Sequence, residues 1–585
     1  MSTAGTIRWA NLVRAPDIAF RLLAFGGAVT MFLAQPPADL WFLAWLAPLP
    51  WLAIVRDEHG LAGCRPWLLL WAAGVAYWLA AIHWLRLPHP ATSIGWVALA
   101  AYLGIYLPLF IWLARRLVHA WRWPLVAAAP IAWMACEQLR GWILGGFTFA
   151  GLGHTQWRWT MLIQWADAVG AVGVSGVVMA GAAGLASLRR SPAQAIAAAL
   201  LIAAVLGYGS WRLATVPQPE GRPLDILLVQ GSIDTELKHD PDAAGDVARH
   251  YDDLTMAGLA AESTKPDLVV WPETMWRWGL VEIDPAEQLD EAVVERMIGL
   301  APPDADAAER AERQTKARAA LARERLDALA VYARRYGTHW LVGLDKQVIT
   351  PRVPGGVEYF NCGLFLDATG ASLACYDKMY PVMFGEYVPL ANRFPWLYRL
   401  TPLPAGLTAG RGPVAVTIAG REVAPTICYE TALPMAVRSI VRDLAAVGRR
   451  PDVIVNLTND GWFWGSSELD MHLTASIFRA VEVRTPIVIA ANTGFSAAID
   501  GSGRLLERGP RRATATLRAR VQPDGRPSPW LAMGSLAGWA AVAVVTAAAF
   551  VGGMWPAGSR AAVPARGAVP VAGPALVPAP QSGRE

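Results

Sequence analysis

The apolar residues of this 585-residue chain are segregated, and that segregation constrains the fold more than any motif does. Seven apolar stretches fill its first part: Ile18 to Ala34, Leu40 to Val55, Trp67 to Leu85, Ile94 to Leu113, Pro124 to Cys136, Ala168 to Leu188 and Ala193 to Trp211. Nothing comparable follows until Trp530 to Trp555. About 20 apolar residues cross a bilayer as a helix, and most of these stretches approach that length, the second and fifth being short. The expected organisation is a transmembrane domain of about seven helices over residues 1–215, a water-soluble domain over 216–528, and an eighth transmembrane helix over 529–555. The last segment, 556–585, is rich in Pro, Ala, Gly and Val without a core-forming pattern and reads as a disordered tail. With 54% hydrophobic residues and 28 Trp, the chain is too apolar for a wholly soluble protein.

Charge sets the orientation. Arg8, Arg14, Arg56, Arg65, Arg115, Arg116, Arg122, Arg189 and Arg190 fall in the N-terminal tail and alternate loops, whereas the other short loops offer only Arg86, Arg140 and Arg158. The positive-inside rule then puts the N-terminus in the cytoplasm, the 216–528 segment outside it, and the C-terminal tail back inside. The first span is expected to stay as an anchor, since no cleavable signal is evident. The net charge of +4 is small and the basic residues are spread, so no nucleic-acid partner is expected.

The soluble segment alternates β-rich runs (LDILLVQG, DLVVWPE, HWLVGLD, YFNCGLFLD, VAVTI, VAPTICYE, DVIVNLTND, PIVIAANTG) with helical stretches at Tyr251 to Glu262, Ala307 to Arg335 and His472 to Val483. That alternation predicts an α/β sandwich with Glu273, Cys428 and Asn459 at strand ends. The Ala-, Glu- and Arg-rich stretch at about 284–324 reads as an exposed helical insertion. Five cysteines do not make a disulfide framework. Cys362 and Cys375 have the spacing to pair across a hairpin in an oxidising compartment, which leaves Cys428 as the free thiol. The nine His are scattered, no metal-ligand cluster is legible, and no cofactor is expected.

A nucleophilic Cys428 needs a base, because a free cysteine is only a few per cent thiolate at neutral pH. Glu273 is the candidate base. Lys378 is the candidate stabiliser of an oxyanion, a role commonly worth about 3 kcal/mol of barrier. Glu386 and Glu430 are placed either to orient the lysine or to shuttle a proton. Taken singly, each of these residues also has an ordinary structural reading: a small core cysteine, a capping glutamate, a surface lysine.

Taken together they resemble a family. VVWPET around Glu273, YDKMYPVMFGEYVP around Lys378 and ICYE around Cys428 follow the order of a carbon-nitrogen hydrolase (nitrilase-type) site. With VQGSI (Val229 to Ile233), NDGWF (Asn459 to Phe463), RAVE (Arg479 to Glu482), NTG (Asn492 to Gly494) and the membrane-side EQLRGW (Glu137 to Trp142) and Gly153 to Gln156, the chain resembles the apolipoprotein N-acyltransferase family. The resemblance implies an α-helical transmembrane domain of about eight spans carrying an α/β nitrilase-like sandwich, in the bacterial inner membrane with the catalytic domain facing the periplasm.

It further implies a two-step, ping-pong acyl transfer. Cys428 would take an acyl chain from a membrane phospholipid as a thioester and pass it to the N-terminal amine of a diacylglyceryl-modified lipoprotein. Glu273 would act as general base, Lys378 would stabilise the intermediates and Glu386 would support the lysine. Tyr429, Glu430 and Phe384 would shape the substrate pocket, together with His239, which follows Lys238 where the family carries a tryptophan after a lysine. A membrane amidase or acyltransferase using water or another amine is the alternative. Lifting a sixteen-carbon chain into water would cost roughly 12 kcal/mol at about 0.8 kcal/mol per methylene, so such a site is expected to open at the bilayer surface.

Overall fold

The computed structural model describes residues 15–551 except 59, 60, 62–64, 219, 220, 235–239, 303, 304, 354, 392, 402 and 404. The expected tail, 556–585, and His239 lie outside the described residues.

Every apolar stretch read from the sequence is helical in the membrane part: α1 (Ala15–Ala34), α2 (Trp41–Arg56), α3 (Pro66–Ala81), α4 (Thr92–Ala120), α5 (Leu125–Arg140), α6 (Ala166–Ser187), α7 (Pro192–Ala214). Among the described residues four helical segments, Asp17–Ala34, Thr92–Ala120, Ala166–Ser187 and Pro192–Ala214, are long and apolar enough to cross a membrane. The helices of α2, α3 and the C-terminal Leu536–Phe550 are apolar but shorter. Helix α5 is also short and carries Pro130. The eighth stretch begins later than the sequence suggested. Gly534, at φ +66°, ends the short helix Pro529–Met533, and Trp530 is buried beside Gly170 of α6 in a cluster that joins the apolar helices to the sandwich.

The soluble domain holds two six-stranded sheets. The first runs in the order β12 (Ala515–Val521), β1 (Leu224–Gln230), β2 (Leu268–Ile283), β3 (His339–Ile349), β4 (Val357–Leu366) and β5 (Ser372–Asp377). The second runs β11 (Leu505–Arg508), β10 (Ala497–Ile499), β9 (Ile487–Ala491), β8 (Val453–Thr458), β7 (Arg421–Ile427) and β6 (Val416–Ile418). The centre of each sheet is parallel, β1–β2–β3 and β7–β8–β9, and the flanking strands are antiparallel. Central parallel strands are covered on both faces, which is why runs such as Val453–Thr458 are buried at every residue.

The two sheets pack face to face through Ile226, Leu228, Val270, Phe365, Ile427, Val455 and Val488. Outside the first sheet lie α8 (Ala244–Ala260) and the last turns of α10 (Ala307–Tyr336), where Leu329 and Ala333 are buried, while α9 (Glu291–Ile298) packs on α10 within the insertion. Outside the second sheet lie α11 (Pro434–Ala446) and α12 (Glu468–Val483). Helix α12 is buried at every residue but Asp470, because its outer face packs in one cluster with Val174 and Val177 of α6 and Val205 of α7. The membrane helices thus form a further layer on the sandwich. The C-terminal helix α13 (Leu536–Val551) returns to pack on α5 and α6.

Polar contacts fix that docking. Asp167 at the start of α6 accepts from Arg484 Nε at 2.9 Å and Tyr208 Oη at 2.5 Å, and pairs with Arg212 of α7 at 2.7 Å. All three charged side chains are buried. A buried ion pair is costly to break from one side, by about 3–5 kcal/mol, so this junction resists sliding.

Candidate active site

The strands deliver the candidate catalytic groups at the places where they stop or break, three from the parallel centres of the sheets and Lys378 from the antiparallel edge strand β5. Cys428 directly follows β7, Lys378 follows β5 and Asn459 follows β8. Glu273 differs from the strand-end expectation. It lies inside β2, at a register break between Trp271 and Trp276 beside Thr274 at φ +54°. The neighbouring strand allows this: a Cβ on Gly343 of β3 would stand 2.3 Å from Pro272 O and 2.6 Å from Glu273 Cα.

Glu273 is buried and held at both oxygens. Oε1 accepts from Asn361 Nδ2 at 2.6 Å and lies 3.7 Å from Lys378 Nζ, while Oε2 accepts from the Asn459 N–H at 2.9 Å. Lys378, 1% exposed, pairs with Glu386 Oε1 at 2.7 Å, and Glu386 Oε2 accepts from the Val382 N–H at 2.7 Å. Burial alone would lower the ammonium pKa, but Glu386, Cys428 and Glu273 outweigh it and hold the lysine charged. Cys428 is a free, partly exposed thiol. Its enclosed surroundings, and then the Glu273 charge, push the thiol well above its ordinary range, against the pull of Lys378. In this state the cysteine rests as a thiol, so a nucleophilic role for it would require a neighbouring carboxylate to take its proton.

The residues Glu273, Lys378, Cys428 and Glu386 therefore converge on one point. Tyr429 turns away from it, donating to Gly146 O at 3.0 Å and meeting Phe149 edge-on at 5.7 Å. Thr148 Oγ1 donates to Ala432 O at 2.6 Å, so the loop after α5 is fastened to the turn that carries the nucleophile. Glu430 is fully buried. Its Oε1 accepts from the Met379 and Tyr380 N–H groups at 2.7 and 3.1 Å, its Oε2 from the Ile427 N–H at 2.7 Å, and both accept from Tyr376 Oη at 2.9 Å. Where the sequence suggested a pocket-shaping group, the carboxylate is enclosed in protein and ties the lysine turn to the cysteine turn. Burial raises the Glu430 pKa, yet three main-chain donors aim at it, a set that only the ionised carboxylate accepts in full. Phe384 stands at φ +62° and is 64% exposed, on a rim with Leu390, Phe394 and Trp396. Trp142, Ile143 and Leu144 on the membrane-side loop are exposed apolar residues as well.

Sequence reasoning missed two features. Asn361 orients Glu273, and the signal was an asparagine inside the apolar strand Val357–Leu366. Asp460, Glu468 and His472 gather within 4.8 Å of one another although they looked scattered. Both ring nitrogens of His472 face hydrogen-bond partners, Asp460 Oδ1 at 3.2 Å and Thr431 Oγ1 at 2.9 Å, so the group reads as a hydrogen-bonded network rather than a metal site. The pairing left open for Cys362 and Cys375 is closed: they form a disulfide between β4 and β5.

Comparison with known proteins supplies the context. A model of the apolipoprotein N-acyltransferase N-terminal domain matches residues 27–184, and one of the carbon-nitrogen hydrolase family matches 228–527. A protein of Rhodopirellula baltica named apolipoprotein N-acyltransferase is 30% identical over 553 residues, covering 87% of this chain and 92% of its own. Its namesake in Allorhizobium ampelinum is 30% identical over 532 residues, covering 86% and 91%. Among solved structures, an amidase from Nesterenkonia sp. aligns with 56% of this chain and 97% of its own, at 17% identity and a TM-score of 0.32.

Proposed function

The chain belongs to the apolipoprotein N-acyltransferase family, inner-membrane acyltransferases with a carbon-nitrogen hydrolase domain, and from that premise we propose that it acylates lipoproteins through a thioester on Cys428. The donor is a membrane phospholipid and the acceptor is the N-terminal amine of a diacylglyceryl-modified cysteine. The observation that carries this reading is the convergence of Glu273, Lys378 and Cys428 on a turn fastened to the membrane-side loop Gly146–Phe149.

In the first half-reaction Glu273 takes the Cys428 proton as sulfur attacks the ester carbonyl. Lys378 faces the oxyanion, the carbon–oxygen bond breaks, and Glu273 returns the proton to the departing lysophospholipid oxygen. In the second half, the amine attacks the thioester carbonyl and gives a proton to Glu273. The carbon–sulfur bond breaks, the proton returns to sulfur, and an amide is left. Lys378, kept charged beside Glu386 at 2.7 Å, supports both oxyanions. Asn361 and the Asn459 N–H keep Glu273 aimed throughout.

The reading extends to topology. Eight crossings, with the hydrolase domain in the periplasm and both termini in the cytoplasm, accord with the distribution of arginines. The Cys362–Cys375 disulfide in that domain supports an oxidising compartment.

The test is direct. Purified full-length protein is incubated with phospholipid bearing a labelled acyl chain, and a hydroxylamine-sensitive adduct on Cys428 is sought by peptide mass analysis, with Cys428→Ala as control. The expected adduct disappears when a diacylglyceryl-cysteine peptide is added, and the label reappears as an amide. An adduct that only hydrolyses would redirect the reading to a membrane amidase, and no adduct on folded protein would overturn the nucleophile.

A further inference from the structure

Behind the nucleophile lies a buried set of side chains that the acyl transfer does not use. His472, on α12, places Nε2 3.1 Å from the Cys428 main-chain carbonyl oxygen and 2.9 Å from Thr431 Oγ1. Its Nδ1 is 3.2 Å from Asp460 Oδ1, which also accepts from Thr458 Oγ1 at 2.8 Å. Ser476 Oγ, one turn further along α12, is 3.1 Å from Thr431 Oγ1. Asn456 Nδ2 of β8 donates to the same Cys428 carbonyl at 3.2 Å. His472, Asp460, Ser476, Thr431 and Asn456 are all buried.

What these contacts hold is unusual. Cys428 sits at φ +52°, in the left-handed region, where a residue with a Cβ is strained and stays only if its surroundings over-determine it. The carbonyl that follows this strained residue is held by Asn456 on one strand and His472 on a helix, with Thr431 Oγ1 at 3.4 Å. Asp460 in turn follows Asn459, whose N–H orients Glu273. One dipeptide, 459–460, therefore reaches the base through its main chain and the nucleophile through His472.

We infer that His472, braced by Asp460, is a positioning residue that locks the Cys428 turn against the loop holding Glu273, so that thiol and base keep one mutual geometry while donor and acceptor exchange. The inference rests on the thioester reading above. It predicts that loss of the Nε2 donor slows bond making at sulfur without weakening lipid binding, since both ring nitrogens of His472 are committed to protein partners.

The experiment compares full-length wild type, His472→Gln, His472→Leu and Cys428→Ala in detergent with phospholipid carrying a labelled acyl chain. Single-turnover thioester formation, KM for phospholipid and thermal unfolding are read on each. A displacement near 1 Å at a reacting atom costs about 100-fold, so His472→Leu should acylate about 100-fold more slowly with KM within about twofold. His472→Gln, whose amide N–H still reaches the carbonyl, should recover to within about fivefold. A leucine variant that acylates at the wild-type rate overturns the inference. Equal losses in both variants, tracking a lowered melting temperature, also overturn it by reducing His472 to a structural residue. Failure of the wild type itself to form an adduct marks the thioester reading, and not the positioning role, as the fault.

Discussion

Replacing Glu430 by glutamine exchanges one oxygen for an NH2 group and should disable the enzyme without any change at a reacting atom. The carboxylate now accepts from three main-chain N–H groups and from Tyr376. If the amide nitrogen replaces Oε2 it faces the Ile427 N–H, and if it replaces Oε1 it faces those of Met379 and Tyr380. Either way at least one buried N–H loses its acceptor and meets another donor, at about 1–3 kcal/mol for each orphaned group. The remaining contacts also lose their ionic character, which brings the total to about 3–5 kcal/mol. Ile427 precedes Cys428 and Met379 follows Lys378, so the loss is felt on one catalytic turn or the other. The protein should remain folded with a lower melting temperature, while thioester formation falls on the order of 100-fold, the usual consequence of a 1 Å misplacement. Labelled-phospholipid acylation of full-length Glu430→Gln, beside its thermal unfolding, measures both. Wild-type acylation in this variant would refute the idea that Glu430 couples the two turns.

Three further outcomes follow from the geometry. Gly343→Ala should push the Pro272–Glu273 segment out of place, because the new methyl would meet Pro272 O at 2.3 Å, and acylation should drop by about 100-fold; an unchanged rate in a variant with normal melting would show that β2 has room to move. Asp167→Asn should destabilise the fold by about 3–5 kcal/mol by leaving Arg484 and Arg212 buried without their anion, read as a lower melting temperature in detergent. His472 provides a pH dependence: burial alone would lower its pKa, but Asp460 and then Glu468 raise it to about 9 against an ordinary 6.5. A raised pKa means that the folded state holds the proton longer, so this stabilisation is full below about pH 6.5 and is lost as pH rises through 9. The wild type should lose about 3 kcal/mol more than His472→Gln across that window, measured by denaturant titration at each pH.

How much of this was legible depended on whether the signal was local. Long buried strands such as Leu224–Gln230 and Val453–Thr458 announce themselves as apolar β-branched runs, and the helices of the membrane part as apolar stretches. Strands β10 and β11 are only three and four residues long, too short for a periodic pattern, and β12 carries Arg518 and Arg520 among its apolar residues. Glu273, Lys378 and Cys428 were recognisable from their neighbours in the chain. The hold on Glu430 was not, because its partners lie on two turns separated by about fifty residues and three of them are main-chain N–H groups without a sequence signature. Helix α12 misled for a related reason. It carries Glu468, His472, Arg479 and Glu482, yet all are buried, since α6 and α7 cover the side that a free-standing hydrolase domain would show to water.

That burial bears on why a hydrolase fold is joined to these helices at all. Arg479 and Glu482 pair at 2.7 Å within α12, and Glu482 Oε1 accepts from the Ala171 N–H at 2.8 Å, just beyond the break in α6 at Gly170. The same helix carries His472 against the Cys428 carbonyl, three turns earlier. Helix α12 therefore touches the membrane layer with one end of its polar row and the nucleophile turn with the other. On the opposite side of the turn, Tyr429 and Thr431's neighbour Ala432 are bonded to the loop after α5. The nucleophile is thus clamped between a helix seated on the membrane part and a loop that belongs to it. A thiol held this way keeps a fixed height relative to the apolar helices, which is what a reaction needs when both its acyl chains are better left in the bilayer than lifted from it, at roughly 0.8 kcal/mol for every methylene exposed.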